Sequence, residues 1–206
     1  MSRRIETLIK DSSLVKEKRK QILDGALNVF KEKGFHKATM RAIARESGVT
    51  IGSLYDYIEK KEDILFLAHE EAAGRIQSQI RDCMEKEGDL LTRFSNGIKL
   101  GIKLHWEYRN EIVLMYREVA ELSPEDRAII YDMERSLITL YEEILKQGMA
   151  EGVFRETNAF ILANAFTLIF ATVALKRWNL REHSPEELSE VLVDFIVSSL
   201  IKREKG

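Results

Sequence analysis

The side chains best suited to chemistry are hydroxyl and cationic groups between positions 39 and 61. Thr39 and Thr50 each directly precede a short helical pattern, so each hydroxyl is expected at a helix N-terminus. Backbone N–H groups that lack a helical partner at that end attract phosphate. Arg41 and Lys61 add cations, and Tyr55 adds a phenolic hydroxyl at the end of the second short helix. This set of donors favours contact with a phosphate backbone.

Patterns typical of enzymes and of metal sites do not occur in the sequence. The single cysteine, Cys83, excludes an internal disulfide and a Cys-rich zinc site. No Gly-x-Ser-x-Gly or His-Glu-x-x-His segment is present, and residues 97–103 lack the spacing of a phosphate-binding loop. The four histidines form no His-x-x-x-His pair: His36, His69, His105 and His183. We therefore expect no catalytic residue, no metal and no cofactor.

The charge of the chain is unevenly distributed. The formal net charge is −2, and 45% of the residues are hydrophobic and 32% charged, which is typical of a globular protein. Residues 1–65 carry 14 Lys or Arg and 10 Asp or Glu, a net charge of +4, so the remainder has a net charge of −6. A basic head on an acidic body favours a nucleic-acid partner for the head.

One uncharged segment is nearly long enough to cross a membrane. Residues 157–175 carry no charge, but Asn and Thr residues dilute their hydrophobicity. We interpret this segment as a helix buried in protein on most sides. The N-terminal residues contain charges and no apolar run, so no secretory signal is expected. These features predict a cytoplasmic protein without a membrane partner.

Hydrophobic periodicity predicts an all-α fold of about nine helices. Gly34 and Gly48 are expected to end the first two helices in the left-handed conformation. Ser-Pro pairs at 123–124 and 184–185 are strong helix start signals. The first helix is expected over 16–33, two short ones lie around Gly48, and the longer ones follow over 61–84, 89–106, 110–122, 124–151, 155–178 and 185–200.

The two short helices around Gly48 predict a helix-turn-helix. Each has about two turns and cannot be stable alone, so the apolar face of the first helix must hold both. The second one starts with small side chains, and Gly52 weakens it. Close approach to a ligand surface and close packing of helices would each explain this glycine. A slender second helix can enter the major groove of DNA.

Residues 20–66 resemble the DNA-binding domain of TetR-type transcriptional regulators. The matching residues extend over four helices and about a quarter of the chain. They are Ile22, Leu23, Ala26, Phe30, Lys33, Gly34, Phe35, Thr39, Met40, Ile43, Ala44, Gly48, Val49, Thr50, Gly52, Leu54, Tyr55, Tyr57, Lys61, Glu62, Asp63, Ile64 and Leu65. Two departures are Ile58, where the family usually has Phe, and Asp56, an anion near the expected DNA surface.

The resemblance implies a role for each matching polar residue. Phosphate contacts are implied for Thr39, Tyr55, Tyr57 and Lys61, and base contacts for Arg41, Thr50, Ile51 and Ser53. Simpler roles remain open at three of these positions. Thr39 could only cap its helix, Tyr55 could pack the head, and Arg41 could be a solvated charge.

The resemblance also implies a domain organisation. A flexible arm is expected over 1–16 and the DNA-binding domain over 17–66, with the helix-turn-helix at about 39–58. The ligand-binding and dimerisation domain then covers 67–206. The last two long helices are the expected dimer interface, although pattern alone also allows a monomer. The expected interface residues are Phe166, Phe170, Leu188, Val191, Leu192, Phe195, Ile196 and Ser199.

The helices in the middle of the chain carry aromatic and sulfur-containing side chains that predict either a packed core or an effector pocket. The candidates for the pocket are His105, Trp106, Met115, Tyr116, Met133, Tyr141, Phe166 and Phe170. The resemblance favours a small hydrophobic ligand, with fatty acyl-CoA as a lead.

Taken with the residues, the resemblance predicts a sequence-specific repressor. The protein is expected to bind a palindromic operator in double-stranded DNA as a homodimer and to be released by the ligand. The alternative is a DNA-binding protein of the same fold that responds to a protein partner instead of a small molecule.

Overall fold

The structure, a computed structural model, describes residue 9 and residues 11–201. In this part of the chain the regular elements are ten α-helices and one 3-10 turn at Val119–Glu121, so the predicted all-α fold is confirmed. The helices are α1 Ser12–Lys33, α2 Met40–Glu46, α3 Ile51–Tyr55, α4 Lys61–Met84, α5 Leu90–Glu107, α6 Arg109–Glu118, α7 Pro124–Ala150, α8 Ala159–Leu175, α9 Arg177–Leu180 and α10 Pro185–Leu200. Most of the predicted N-terminal arm, residues 1–8 and 10, lies outside the described residues.

The described chain forms two compact units. The head unit consists of the residues up to Glu71 together with Val113–Tyr131, and the body unit consists of Ala72–Ile112 together with the residues from Asp132 onward. The boundaries of the predicted domains, 17–66 and 67–206, remain a prediction. The head unit contains one segment, 113–131, that the sequence division assigned to the body.

Side-chain oxygens begin the helices as the sequence predicted in four cases. The hydroxyls of Thr39, Thr50, Ser123 and Ser184 accept hydrogen bonds from backbone N–H groups of α2, α3, α7 and α10. The predicted start of α1 at Lys16 is wrong, because Asp11 caps this helix and it begins at Ser12. An aspartate that accepts two N–H bonds supports a first turn whose side chains are mostly exposed.

The helix predicted over 155–178, whose centre carries no charge, is shorter in the structure. Asn158 accepts a hydrogen bond from the N–H of Ile161 and so begins α8 at Ala159. The chain leaves the helix at Lys176, and α9 follows as a separate element, which accounts for the tenth helix. No helix in the described part of the chain is long and apolar enough to span a bilayer.

The core of the head unit includes one aliphatic side chain from each of its first three helices. Ile22 of α1, Ile43 of α2 and Leu54 of α3 are fully buried. Gly48 lies between α2 and α3 and adopts a φ of +66°. This left-handed conformation is unfavourable for a residue with a side chain. The turn that the sequence predicted at this glycine therefore sets the angle between the two short helices.

Helix α1 contacts the end of α2 closely at Gly25. The backbone carbonyl of Ile22 accepts a hydrogen bond from the Ser47 hydroxyl at 3.3 Å, and Gln21 Nε2 donates to the Ser47 carbonyl at 2.7 Å. A Cβ atom added at Gly25 would lie 2.7 Å from the Ser47 backbone nitrogen. The absence of a side chain at Gly25 is therefore required for this packing.

The body unit is built on aromatic side chains. The ring of Phe94 lies 5.0 Å from that of Phe154 and 6.1 Å from that of Phe166. Helix α5 packs against α8 and α10. Gly148 leaves room for the ring of Phe154, which is fully buried. The body core therefore contains much of the aromatic content that the sequence left open between core and pocket.

Replacement of two helical glycines is expected to have opposite effects on stability. Gly25→Ala forces the backbone at Ser47 to move and should lower the free energy of unfolding by about 1–3 kcal/mol. Gly74→Ala is the matched control, because nothing lies within 4 Å of an added Cβ at this position of α4. It should raise the free energy of unfolding by about 0.5–1 kcal/mol. Urea denaturation followed by circular dichroism measures both, and equal shifts in one direction would contradict the packing at Ser47.

Candidate DNA-binding site

Helix α3 presents one face to the interior and one to solvent. Leu54 is fully buried, whereas Ile51 and Tyr55, one helical turn apart, are exposed. The hydroxyl of Thr50 accepts a hydrogen bond from the N–H of Ser53 at 3.1 Å and fixes the first turn. The cap at Thr50 and the burial of Leu54 thus fix the orientation of this helix of five residues.

Gly52 lies on this exposed side of α3. A Cβ atom added there would meet only Thr50 Oγ1, at 4.0 Å, among the described residues. Of the two explanations for Gly52, close packing against another helix of the described chain is therefore excluded. Close approach to an external surface remains a prediction.

Thr39 caps α2 in the same way. Its hydroxyl oxygen accepts a hydrogen bond from the N–H of Ala42 at 3.2 Å, and the side chain is exposed. Because the oxygen acts as the acceptor in this bond, the hydroxyl proton remains free to donate to a phosphate oxygen. Arg41 is exposed in the first turn of α2. The capping role of Thr39 is observed, and it is compatible with phosphate binding.

Lys61 already has structural partners. Its ammonium group donates to the backbone carbonyl of Phe35 at 3.0 Å and to that of His36 at 3.3 Å. The same group lies 4.5 Å from the centre of the Phe35 ring. An ammonium has three protons, so one remains available for a phosphate. Lys61 therefore holds the turn between α1 and α2 in addition to any role on DNA.

Tyr57 differs from Tyr55 in its exposure. Only 6% of Tyr57 is exposed, against 54% of Tyr55. The backbone carbonyl of Tyr57 accepts a hydrogen bond from Arg19 Nε at 3.2 Å. Tyr57 thus has little accessible surface for the phosphate contact that was predicted for it. Tyr55 is the accessible phenol at the end of α3.

Two residues to which the sequence assigned no role, Arg19 and Asp63, fix the loop between α3 and α4. The carboxylate of Asp63 accepts hydrogen bonds from the N–H groups of Glu59 and Lys60, both at 3.1 Å. Burial lowers the pKa of the Arg19 guanidinium, and the charges of Asp63 and Glu70 act in the opposite direction. An acid in the first turn after a loop is a capping signal that could have identified Asp63.

Three of the predicted pocket residues come together in the body core. The ring of Phe170 lies 5.6 Å from that of His105 and 5.3 Å from that of Tyr141. Nδ1 of His105 donates to the carbonyl of Gly101 at 2.8 Å, and burial lowers the pKa of this histidine to about 4. Tyr141 donates to the carbonyl of Gly97 at 3.2 Å, and burial followed by the nearby Cys83 raises its pKa. At neutral pH this cluster is uncharged.

The other predicted pocket residues do not join this cluster as one site. Trp106 is half-buried, and its ring centre lies 5.7 Å from the guanidinium of Arg109 and 5.8 Å from that of Arg177. Met115 and Tyr116 belong to the head unit, where Met115 is buried and Tyr116 is exposed. Phe166 packs on Phe94. Met133 is half-buried in the body unit. The complete set remains a prediction.

The predicted interface residues separate into buried and exposed ones. Phe166, Phe170 and Ile196 are buried within the protomer, so they can support an interface only from beneath its surface. Val191 and Phe195 of α10 are more than half exposed. Leu188 and Leu192 are half-buried, and Ser199 is exposed. The sequence analysis did not include three exposed apolar residues of α8: Phe160, Ile161 and Leu168.

Two family profiles match the chain. Residues 22–68 match "Bacterial regulatory proteins, tetR family", which covers the helix-turn-helix. Residues 87–200 match "Tetracyclin repressor-like, C-terminal domain", which covers more than half of the chain.

Two relatives of known name extend over most of the sequence. The chain is 28% identical over 174 residues to the HTH-type transcriptional regulator HbdR of Aromatoleum sp. (strain CIB), which covers 84% of this chain and 76% of HbdR. It is 25% identical over 184 residues to the fatty acid metabolism regulator protein of Bacillus subtilis (strain 168), which covers 87% of this chain and 94% of that protein.

Solved structures share the fold. A regulatory protein in the tetR family from Rhodococcus RHA1 superposes with a TM-score of 0.84 at 22% identity, over 91% of this chain and 99% of its own. AibR, in complex with isovaleryl coenzyme A and operator DNA, superposes with a TM-score of 0.75 at 20% identity, over 86% of this chain and 97% of its own. FadR from Bacillus subtilis, in complex with stearoyl-CoA, superposes with a TM-score of 0.74 at 23% identity, over 87% of this chain and 97% of its own.

The structure of the head unit, with the exposed face of α3, and the two profile matches indicate the same family. The family and the named relatives are transcriptional regulators and not enzymes. The chain belongs to the TetR family of DNA-binding transcriptional regulators.

Proposed function

We propose that this regulator is a repressor that binds an inverted-repeat operator as a homodimer and is released by a fatty acyl-CoA. The observation that carries the DNA-binding part is the orientation of α3, whose buried Leu54 turns Ile51 and Tyr55 toward solvent. The effector part rests on the relatives, and the dimer rests on an exposed apolar face in the body unit.

The head offers two kinds of contact to DNA. Thr39 and Tyr55 are exposed hydroxyls at helix ends and would bind phosphate oxygens, with the third proton of Lys61 beside them. Ile51 and the small residues next to it would approach base edges, where an apolar side chain can contact the methyl group of thymine. Phosphate contacts would give affinity and orientation, and the start of α3 would give sequence preference.

Loss of the Tyr55 hydroxyl is expected to weaken operator binding. Tyr55→Phe removes one hydrogen bond to a charged oxygen from each head, worth about 1.5 kcal/mol. The two heads of a dimer together lose about 3 kcal/mol, so the Kd should rise on the order of 100-fold. The loss should be similar on related operator sequences, because phosphate carries no sequence information. Tyr131→Phe is the matched control, since Tyr131 is 52% exposed and Tyr55 54%.

Fluorescence anisotropy on an operator selected from inverted-repeat fragments measures these affinities. Equal affinities of the two variants would contradict the phosphate contact. Absence of preference for any inverted repeat in the unaltered protein would contradict the DNA-binding proposal as a whole.

An exposed apolar face in the body unit supports a homodimer. Val191 and Phe195 lie one turn apart on α10, and Ile161 and Leu168 lie two turns apart on α8. Helices α8 and α10 pack against each other. Exposed apolar patches of this kind on a soluble protein mark interfaces. Two copies would bury both faces in a four-helix arrangement and would present two heads to two half-sites.

A charge in this face is expected to separate the dimer. Phe195→Asp places an unpaired carboxylate where apolar side chains would meet, so the variant should elute as a monomer and lose affinity for the paired half-sites. Tyr131→Asp is the control, because it adds the same charge at a similarly exposed aromatic position outside this face. Size-exclusion chromatography with light scattering gives the mass. A Phe195→Asp variant of unchanged dimer mass would exclude this interface.

Relatives support an acyl-CoA as the effector. One is named a fatty acid metabolism regulator, and two proteins of this fold were solved with isovaleryl coenzyme A and with stearoyl-CoA. The body core offers an apolar and uncharged environment around Phe170, with Tyr141 and His105 as its polar groups. Such surroundings suit an acyl chain with few polar contacts.

Addition of an acyl-CoA is expected to weaken operator binding. Saturating ligand should raise the Kd for the operator about 5–150-fold, the usual range of coupling between two sites. Isovaleryl-CoA and stearoyl-CoA test short and long chains, and coenzyme A alone and stearate alone are the controls. An unchanged Kd with every acyl-CoA would contradict this effector and would favour control by a protein partner.

A further inference from the structure

A groove on the surface of the body unit lies outside the predicted pocket. Its volume is about 440 Å³, and it runs between the C-terminal part of α4 and the middle of α5. Its walls consist of Gln79, Asp82, Cys83 and Lys86 on one side and Asn96, Lys99, Leu100 and Lys103 on the other. None of the predicted pocket residues lines it. We call it the lysine groove.

The lysine groove is positively charged in a body whose sequence is acidic. Three ammonium groups and one carboxylate line it, which gives a net charge of +2. The ammonium group of Lys103 lies 3.9 Å from a carboxylate oxygen of Glu107. Among the described residues, no hydrogen bond or ion pair engages Lys86 or Lys99. Their charges therefore remain available to an anion.

The remaining walls provide neutral polar and apolar surface. Gln79 and Asn96 contribute amide groups that can donate and accept hydrogen bonds. Leu100 and Cys83 are half-buried and supply apolar surface beside them. A volume of this size lies within the range of small-molecule sites and suits a ligand of nucleotide size.

Close packing between α4 and α5 fixes the two walls. A Cβ atom at Gly97 of α5 would lie 2.9 Å from Met84 Cγ at the end of α4. Arg93 donates to the carbonyl of Met84 at 3.1 Å and so ties the end of α4 to α5. The groove therefore lies along the contact between these two helices, and Lys86 is contributed by the loop that joins them.

We propose that the lysine groove binds the phosphate groups of a small phosphorylated ligand. Ammonium groups bind phosphate as point charges, and a diphosphate can engage Lys99 and Lys103 of α5 together with Lys86 of the opposite wall. Asp82 and the two amides then contact the polar, uncharged part of the ligand. Leu100 contacts its apolar part.

Two sources of ligand share this chemistry. One is the nucleotide end of an acyl-CoA, and this source rests on the proposed function. Cys83 lines the groove, and after burial it is the second cause that raises the pKa of Tyr141 in the core. The other source is a free nucleotide or a pyrophosphate, which requires no acyl-CoA at all.

The only cysteine of the chain gives a direct reporter of occupancy. Cys83 lines the groove and is half-buried, so a bound ligand should slow its alkylation by iodoacetamide. Full-length protein is treated with and without pyrophosphate at matched ionic strength, and mass spectrometry follows the labelled fraction. We expect pyrophosphate and adenosine 3′,5′-bisphosphate to slow the reaction at least threefold.

Removal of two groove charges tests the role of the lysines. The double variant Lys99→Gln, Lys103→Gln should lose the protection by pyrophosphate, whereas Lys146→Gln, an exposed lysine of α7 that does not line the groove, should keep it. The ratio of rates with and without ligand is compared within each variant, so a changed reactivity of the thiol cancels. No protection in the unaltered protein, or equal protection in both variants, would overturn the proposal.

The two sources are separated on the same variants. If the groove holds the nucleotide end of an acyl-CoA, the double variant should need about tenfold more stearoyl-CoA for release from the operator, with unchanged operator affinity in its absence. If protection by pyrophosphate is lost but stearoyl-CoA acts as before, the groove serves a free phosphorylated ligand. Failure of stearoyl-CoA to act on the unaltered protein would contradict the proposed effector and would leave the protection result standing.

Discussion

The burial of one leucine determines which side of α3 faces outward. Helix α3 has five residues and cannot be stable by its own hydrogen bonds. Leu54 is fully buried, as are Ile22 and Ile43, and this burial fixes the rotation of the helix about its axis. Because Leu54 points inward, Ile51 and Tyr55 must point outward. The surface offered to DNA is thus a consequence of core packing in the head.

The sequence predicted those features that depend on neighbouring residues. The caps at Thr39 and Thr50 and the turn at Gly48 were correct, because each involves contacts within a few residues. The break at Lys176 was missed because the predicted helix continued to residue 178, although the uncharged segment ends at this lysine. Gly52 had two explanations in the sequence, and only the surroundings in the fold removed one of them.

The division of the body between core and cavity could not be predicted in the same way. A stripe of aromatic residues has the same helical spacing in both cases, so the sequence could not show that His105, Tyr141 and Phe170 pack together. The lysine groove was missed for a related reason. Its residues on α4 and α5 recur at helical spacing, as on any solvated face, and Lys86 lies on the loop between the two helices. Only the pairing of the two helices makes a cavity.

If both proposals hold, the two ends of the ligand have different roles. A ligand shifts a conformational equilibrium only by as much as its affinities for the two states differ. Phosphate contacts in a groove between tightly packed helices would be nearly equal in both states, so they would add affinity without changing operator binding. An acyl chain that enters the core near Tyr141 must displace packed rings and would favour one state. By reciprocity, the operator would weaken binding of the acyl-CoA by the same factor.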